Sequence, residues 1–268
     1  MQKSTLLITG AGTGIGLETL KLAHKNGHPV IAAIHHKEEA SALPRGVAWM
    51  AGDLTQPSFR KKLIATYAKK VDTLVLNAGH GESGPLIEQP EARIRKVFEV
   101  NVMASILLAQ GFGQVMAKRR SGRLVFVTSM AGFITLPNLG AYSGTKHALE
   151  AMADALRMEL APFGVSVASV EPGLIYTGFN ERMAASKFGW LTSKSLFAAH
   201  IKTWAKRDRA LPSRSYPVNK AARTLFKVAT QKSPKAHNPT PALYGPLGFV
   251  FHHLPTSLQD RFFRNGGM

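Results

Sequence analysis

Short, almost continuous apolar runs recur along the first 175 residues, separated by stretches in which apolar positions return every three or four residues. The runs are Leu6–Thr9, Val30–Ile34, Val47–Ala51, Val71–Asn77, Leu124–Ser129 and Val165–Val170. Runs this short and this apolar predict strands covered by helices on both faces. Ile15, Leu20 and Ala23 predict a helix after the first strand, stopped at Gly27. Ile94, Val97, Phe98, Met103 and Leu107 mark a long helix before the fifth strand. Ala148, Met152, Ala155, Leu156 and Leu160 mark another, ending near Pro162. The alternation predicts an α/β fold, a doubly wound parallel sheet of about seven strands flanked by helices.

Residues 176–217 break this rhythm. They mix Tyr176, Phe179, Phe188, Trp190, Phe197 and Trp204 with basic residues, bounded by Pro212 and Pro217. An insertion of this kind reads as a substrate lid of a single domain spanning 1–268. Residues 218–230 have helical spacing. From Pro239, with Pro241, Pro246 and Pro255, the chain is expected to be an irregular basic extension, 239–268. Near its end Thr256-Ser257-Leu258-Gln259 forms a capping-box pattern leading into Leu258, Phe262 and Phe263.

Composition narrows the function classes. With 268 residues, 45% hydrophobic and 19% charged, the chain can bury a sizeable core and is not disordered by default. The lack of cysteine excludes thiolate zinc sites, disulfide scaffolds and cysteine nucleophiles. The net charge of +18 is concentrated: residues 187–268 carry 14 Lys/Arg against 2 Asp/Glu. Such a field attracts nucleic acid, anionic lipid, phosphorylated cofactors or an acidic carrier protein, or simply solvates the surface. Leu6-Leu7-Ile8 is too short for a signal-peptide core, and no window approaches the ~20 apolar residues of a membrane span. A soluble cytoplasmic protein is expected.

The strongest chemical signal is Thr9-Gly10-Ala11-Gly12-Thr13-Gly14-Ile15-Gly16, where a strand meets a helix. Glycines let backbone approach a pyrophosphate, and the helix N-terminus offers unpaired N–H groups. Together with Asn77-Ala78-Gly79, Asn101, Ser129, Tyr142-Ser143-Gly144-Thr145-Lys146 and Pro172-Gly173, it resembles the short-chain dehydrogenase/reductase family. The resemblance runs continuously from residue 4 to about 177 and implies a Rossmann-like fold. Phe98-Glu99-Val100-Asn101-Val102 and the basic tail resemble the hydroxysteroid and retinol dehydrogenase-like branch. Leu76 stands where the family often has a second Asn, and Thr145 where Ser is common.

The residues agree with that chemistry. Tyr142 and Lys146 share a helix face. A Lys ammonium within ~4 Å would favour the phenolate of a side chain whose pKa is otherwise near 10. Ser129 ends a strand, where open α/β sheets hold their ligands. The resemblance implies that Tyr142 moves the proton, Ser129 polarises the carbonyl, Lys146 also holds the nicotinamide ribose, and Asn101 completes a proton relay through water. It implies cofactor contacts from Gly10, Thr13, Gly14, Ile15, Gly16, Asn77, Ala78, Gly79, Tyr142, Lys146, Pro172, Gly173, Ile175 and Thr177. Asp53 and Leu54 resemble the pair that meets adenine. At the second strand's end, Ile34 cannot accept from ribose hydroxyls, whereas His35, His36 and Lys37 can face a 2′-phosphate. NADP(H) is therefore expected over NAD(H), although Glu38 or Glu39 can reach back.

Other features take plain readings. Neighbours in extended chain point to opposite faces, so His35-His36 and His252-His253 are no chelates, and no metal site is expected. Met50, Met103, Met116 and Met152 read as packing, and His80 as active-site mouth or surface turn. The leading function is interconversion of a carbonyl and a primary or secondary alcohol on a hydrophobic substrate, the aromatic lid supplying the apolar wall. A 3-oxoacyl-carrier-protein or CoA-thioester reductase ranks second; a catalytically silent binder of anionic surfaces is the reading from another class. The resemblance implies a homodimer or homotetramer. Nucleic acid is not expected. Peripheral contact with an anionic membrane through Leu258, Arg261, Phe262, Phe263 and Arg264 competes with these residues covering the cleft or another subunit.

Overall fold

Six strands form where the apolar runs predict them: β1 (Leu6–Thr9), β2 (Val30–Ile34), β3 (Ala48–Ala51), β4 (Thr73–Leu76), β5 (Gly122–Val127) and β6 (Val165–Pro172). The computed structural model describes residues 3–208 and 215–262. Pro212, Phe263 and Arg264, which figure in the sequence reading, lie outside them. Helices α1 (Gly14–Lys25), α2 (Pro57–Tyr67), α3 (Glu91–Phe98), α4 (Ala104–Lys118) and α5 (Gly140–Leu160) alternate with these strands. After β6 come β7 (Ile175–Tyr176), α6 (Phe179–Ser186), α7 (Ile201–Asp208), β8 (Tyr216–Pro217) and α8 (Val218–Thr230). The chain continues as β9 (His237–Thr240), α9 (Tyr244–His253) and α10 (Thr256–Phe262).

The main sheet runs β3-β2-β1-β4-β5-β6-β9, with parallel pairing throughout. Alternation along each strand divides the core into two layers. Leu7, Leu74, Leu124 and Phe126 pack with Leu63, Phe112, Met116 and Leu149 on the α2, α4 and α5 side. Leu6, Ile8, Val75 and Val125 pack with Leu20, Leu225 and Val228 on the α1 and α8 side. Strand order reverses between β1 and β4, and the crevice there is where such sheets take ligands.

Three departures from the sequence reading have physical causes. The seventh strand, His237-Asn238-Pro239-Thr240, lies where an irregular tail is expected. It is an edge strand, pairing in register with Ser169–Pro172 of β6, and an edge tolerates a proline with no N–H to give. The tail then forms α9 and α10. The Pro255 carbonyl accepts from the N–H groups of Leu258 and Gln259, so α10 begins at Thr256 rather than being capped by it. The long helix is continuous from Glu91 to Lys118 but contains one π turn, Glu99–Met103. By length and a mean hydropathy of 1.4 it could cross a membrane, contrary to the window reading; half of that window is buried. Leu108, Phe112 and Met116 put its apolar side on the sheet.

The insertion is pinned at both ends, because β7 pairs with β8 through Ile175↔Tyr216 and Tyr176↔Pro217. Within it the buried Lys187 is neutralised by Asp208 at 2.6 Å, and Trp204 packs on Phe197 and His200. Glu88 ties it to the segment before α3 by accepting from Ser195 Oγ and Leu196 N.

Behind α5, His237 of β9 meets Glu150, Glu171 and Asp154 at 3.3–3.4 Å. Hydrogen bonds to Glu150 and Glu171 push its imidazole up to about 10. Donor atoms of Glu150, Glu171 and His237 lie within 4.8 Å of one another, a grouping the adjacent-histidine reading did not anticipate. A protonated His237 supplies the cation that buried carboxylates need.

Candidate active site

The turn after β1 is built by close approach of backbone. Gly10 has φ +62, and a Cβ there would lie 2.9 Å from Ala78 Cα. A Cβ at Gly16 would lie 2.4 Å from the Gly10 carbonyl oxygen and 2.5 Å from Asn77 Nδ2. Asn77 Nδ2 donates to the carbonyls of Thr9 and Gly10, while Thr9 Oγ1 accepts from the N–H groups of Asn77 and Ala78. The end of β4 is thereby stitched to the glycine turn at the point where the sheet reverses. The result is a cradle that methyl groups would fill, at the N-terminus of a twelve-residue helix. That arrangement fits a dinucleotide pyrophosphate.

The cradle opens into a cavity of about 1010 Å³. At one end stand His35, Glu39, Asp53 and Leu54. Glu39 does reach back: its Oε2 accepts from His35 N at 3.3 Å, beside Gly12. Burial pushes the Asp53 carboxyl up, but hydrogen bonds from Thr55 and the nearby His35 outweigh it and hold the group below the usual range. His36 is exposed and stands off the cavity, and Gly16 is buried under the turn.

At the other end, α5 carries Tyr142 and Lys146 one turn apart, both buried. Ser129 caps the turn after β5, accepting from Ala131 N at 3.1 Å and donating to the Pro172 carbonyl at 3.3 Å. Lys146 Nζ donates to the Val127 carbonyl at 3.0 Å and lies 5.7 Å from the centre of the Tyr142 ring. All three face the cavity, with Pro172, Gly173, Ile175 and Thr177 opposite.

Burial pushes the Tyr142 hydroxyl up to about 12, although a hydrogen bond with Ser129 acts the other way. One Lys146 donor is taken by the Val127 carbonyl, and burial of the phenol sets the direction of the shift. Tyr142 therefore keeps its hydroxyl protonated at neutral pH. Burial also lowers Lys146 to about 8, opposed by Glu150 one turn further along. Any activity that depends on the Lys146 ammonium falls as pH rises through about 8. Removing the supporting charge by Glu150→Gln is expected to move that fall to lower pH, which a pH–rate profile measures.

Asn101 sits in the π turn, fully buried and outside the cavity wall. Its Oδ1 accepts from His80 N, and its Nδ2 donates to the His80 carbonyl and to Thr145 Oγ1. It clamps the segment after β4 to α5. His80 itself lines the cavity, lowered by burial and by Lys96, with Glu82 opposing. The π turn has no clear sequence signature.

The apolar wall differs from the expected one. Of the six insertion aromatics named above, Phe179 lines the cavity, joined by Met183. Ile134, Leu136 and Leu139 come from the segment between β5 and α5, and Tyr244, Leu247 and Phe251 from α9. A Cβ at Gly173 would meet the Tyr244 ring at 1.9 Å, so α9 seats directly on the Pro172-Gly173 segment. Sequence reasoning missed α9, though the run Leu247-Gly248-Phe249-Val250-Phe251 is its apolar signal.

A family model described as short chain dehydrogenase matches residues 4–187. The Escherichia coli protein named uncharacterized oxidoreductase YbbO is 34% identical over 188 residues, 68% of this chain and 70% of that protein. The NADPH-dependent 3-dehydrocapnine reductase of Ornithobacterium rhinotracheale is 32% identical over 246 residues, 86% and 85% of the two chains. A short chain dehydrogenase from Burkholderia cenocepacia, solved in complex with NADP, superimposes with a TM-score of 0.77 over 97% of both chains; its identity of 22% speaks to the fold.

Proposed function

Since the chain belongs to the short-chain dehydrogenase/reductase family of oxidoreductases, we propose that it uses NADP(H) to interconvert a carbonyl and a primary or secondary alcohol on an extended hydrophobic substrate. The observation that carries this reading is convergence: Ser129, Tyr142 and Lys146 face the same cavity as the glycine cradle. When bound, the reduced nicotinamide supplies the hydride. Tyr142 Oη gives its proton to the carbonyl oxygen. Ser129, whose bond to Pro172 is long at 3.3 Å, turns its hydroxyl to the same oxygen. The Lys146 ammonium stabilises the tyrosinate left behind. Asn101 is a positioning residue that fixes His80 and Thr145 around them.

Gly10, Thr13, Gly14, Ile15 and Asn77 hold the pyrophosphate end, Asp53 and Leu54 the adenine, and Pro172, Gly173, Ile175 and Thr177 the nicotinamide. His35 meets the 2′-phosphate, a preference shared by the NADPH-dependent relative. Residues 176–217 act as the substrate lid of one domain, and assembly is as a homodimer or homotetramer. The apolar residues around Tyr142 favour a long or fused-ring apolar substrate over a small polar one.

The test is a panel of ketones, aldehydes, alcohols and a 3-oxoacyl-CoA with each cofactor. NADPH turnover on apolar ketones is the expected result; no turnover and no cofactor binding would sink the reading. Glu39→Gln, which removes a carboxylate beside His35, is expected to raise kcat/KM with NADPH relative to NADH about tenfold, as roughly 1.4 kcal/mol of relieved repulsion requires.

A further inference from the structure

Helix α9 closes one wall of the cavity, yet its outer side is as apolar as its inner side. Tyr244, Leu247, Gly248 and Phe251 line the cavity. On the same helix Phe249 and Val250 are 65% and 60% exposed, and Leu243, immediately before it, is 66% exposed. No Lys, Arg, Asp or Glu occurs from Leu243 to His253. A helix apolar all round belongs in a core or against lipid, and an exposed patch of this kind marks an interaction site.

Exposed cations stand on the elements that pack against α9. Lys220 is exposed and lies over the Tyr216 ring, which packs on Tyr244. Arg261 is exposed on α10, and residues 187–268 as a whole carry 14 Lys/Arg against 2 Asp/Glu. This excess is not used by the chemistry, whose cradle lies in the first half of the chain. A second copy would bring the same positive field, so pairing two such faces is opposed by repulsion. An anionic surface with an apolar interior satisfies both features.

We propose that the outer face of α9, through Leu243, Phe249 and Val250, docks on an anionic lipid bilayer. The mouth beside Leu247 and Phe251 then faces the lipid, and an apolar substrate enters the cavity without crossing water. Only this last consequence rests on the catalytic reading above.

The full chain is mixed with phosphatidylcholine vesicles, with or without phosphatidylglycerol, at low and moderate salt, and sedimented. Binding to the anionic vesicles alone, weakening as salt rises, is expected. Phe249→Glu with Val250→Glu is expected to lower that partition by more than about tenfold, with cofactor binding and turnover of a water-soluble ketone unchanged. Equal binding to neutral vesicles, no binding to either, or binding indifferent to the double variant overturns the proposal. A concentration-dependent dimer abolished by the double variant would assign the face to a second copy instead. Vesicle binding that persists without ketone turnover removes the catalytic reading and leaves the docking surface standing.

Discussion

Tyr142→Phe is expected to cut turnover at saturating substrate by about 10²–10⁴-fold, the usual worth of a positioned proton donor. The ring stays, so its packing against Phe179 at 6.0 Å and its burial in the cluster with Val97 and Met183 are kept. What disappears is one hydroxyl, pushed up to about 12 by burial. Cofactor affinity, followed by quenching of protein fluorescence, should stay within about threefold, because the pyrophosphate and adenine contacts are remote from the phenol. A parallel loss of cofactor affinity would mean that Tyr142 works through binding, and the acid assignment would fall. Retained turnover would remove Tyr142 from the chemistry altogether.

The second large effect is expected at Gly16. A methyl there stands 2.4 Å from the Gly10 carbonyl oxygen, which is backbone and cannot swing aside. It also presses on Asn77 Nδ2, which ties β4 to the turn. Gly16→Ala should therefore weaken cofactor binding by more than about tenfold and destabilise the fold by about 1–3 kcal/mol through overpacking. Gly144→Ala is the matched control. Its Cβ meets only Phe98 Cζ at 3.5 Å, an ordinary contact, and alanine favours the helix interior by about 1 kcal/mol. Titration of cofactor against both variants, with thermal melts, separates the cases; equal behaviour would show that crowding at the turn has no functional weight.

Both effects concern residues legible in the sequence, and the reason is local. A strand, a glycine turn and a helix start are specified within about ten residues, so Gly10, Gly14 and Gly16 announce their geometry directly. Tyr142 and Lys146 share a face because they are one helical turn apart. Six of the main sheet's seven strands were readable as apolar runs. The seventh was not, because His237-Asn238-Pro239-Thr240 has neither strand propensity nor alternation and is held by its neighbour β6. The aromatic insertion promised the substrate wall, yet Trp204 and Phe197 pack on one another. Phe179 and Met183 are the insertion's apolar share of the wall, and much of the rest comes from α9, about a hundred residues beyond Tyr142, which only folding brings there.

Charge divides in the same way. The count and its bias toward the last third follow from composition alone, and so do the chemical types of Ser129, Tyr142 and Lys146. The protonation of those groups does not. Tyr142 is raised because folding buries it, and Lys146 is lowered for the same reason despite Glu150. Burial is a property of packing between distant segments, and no reading of the residue types alone gives its size. The chain's local order thus specified six of the seven strands, the cradle and the identity of the reacting groups. The tertiary structure decided which of them holds a proton, what walls the cavity, and which apolar face is left turned outward.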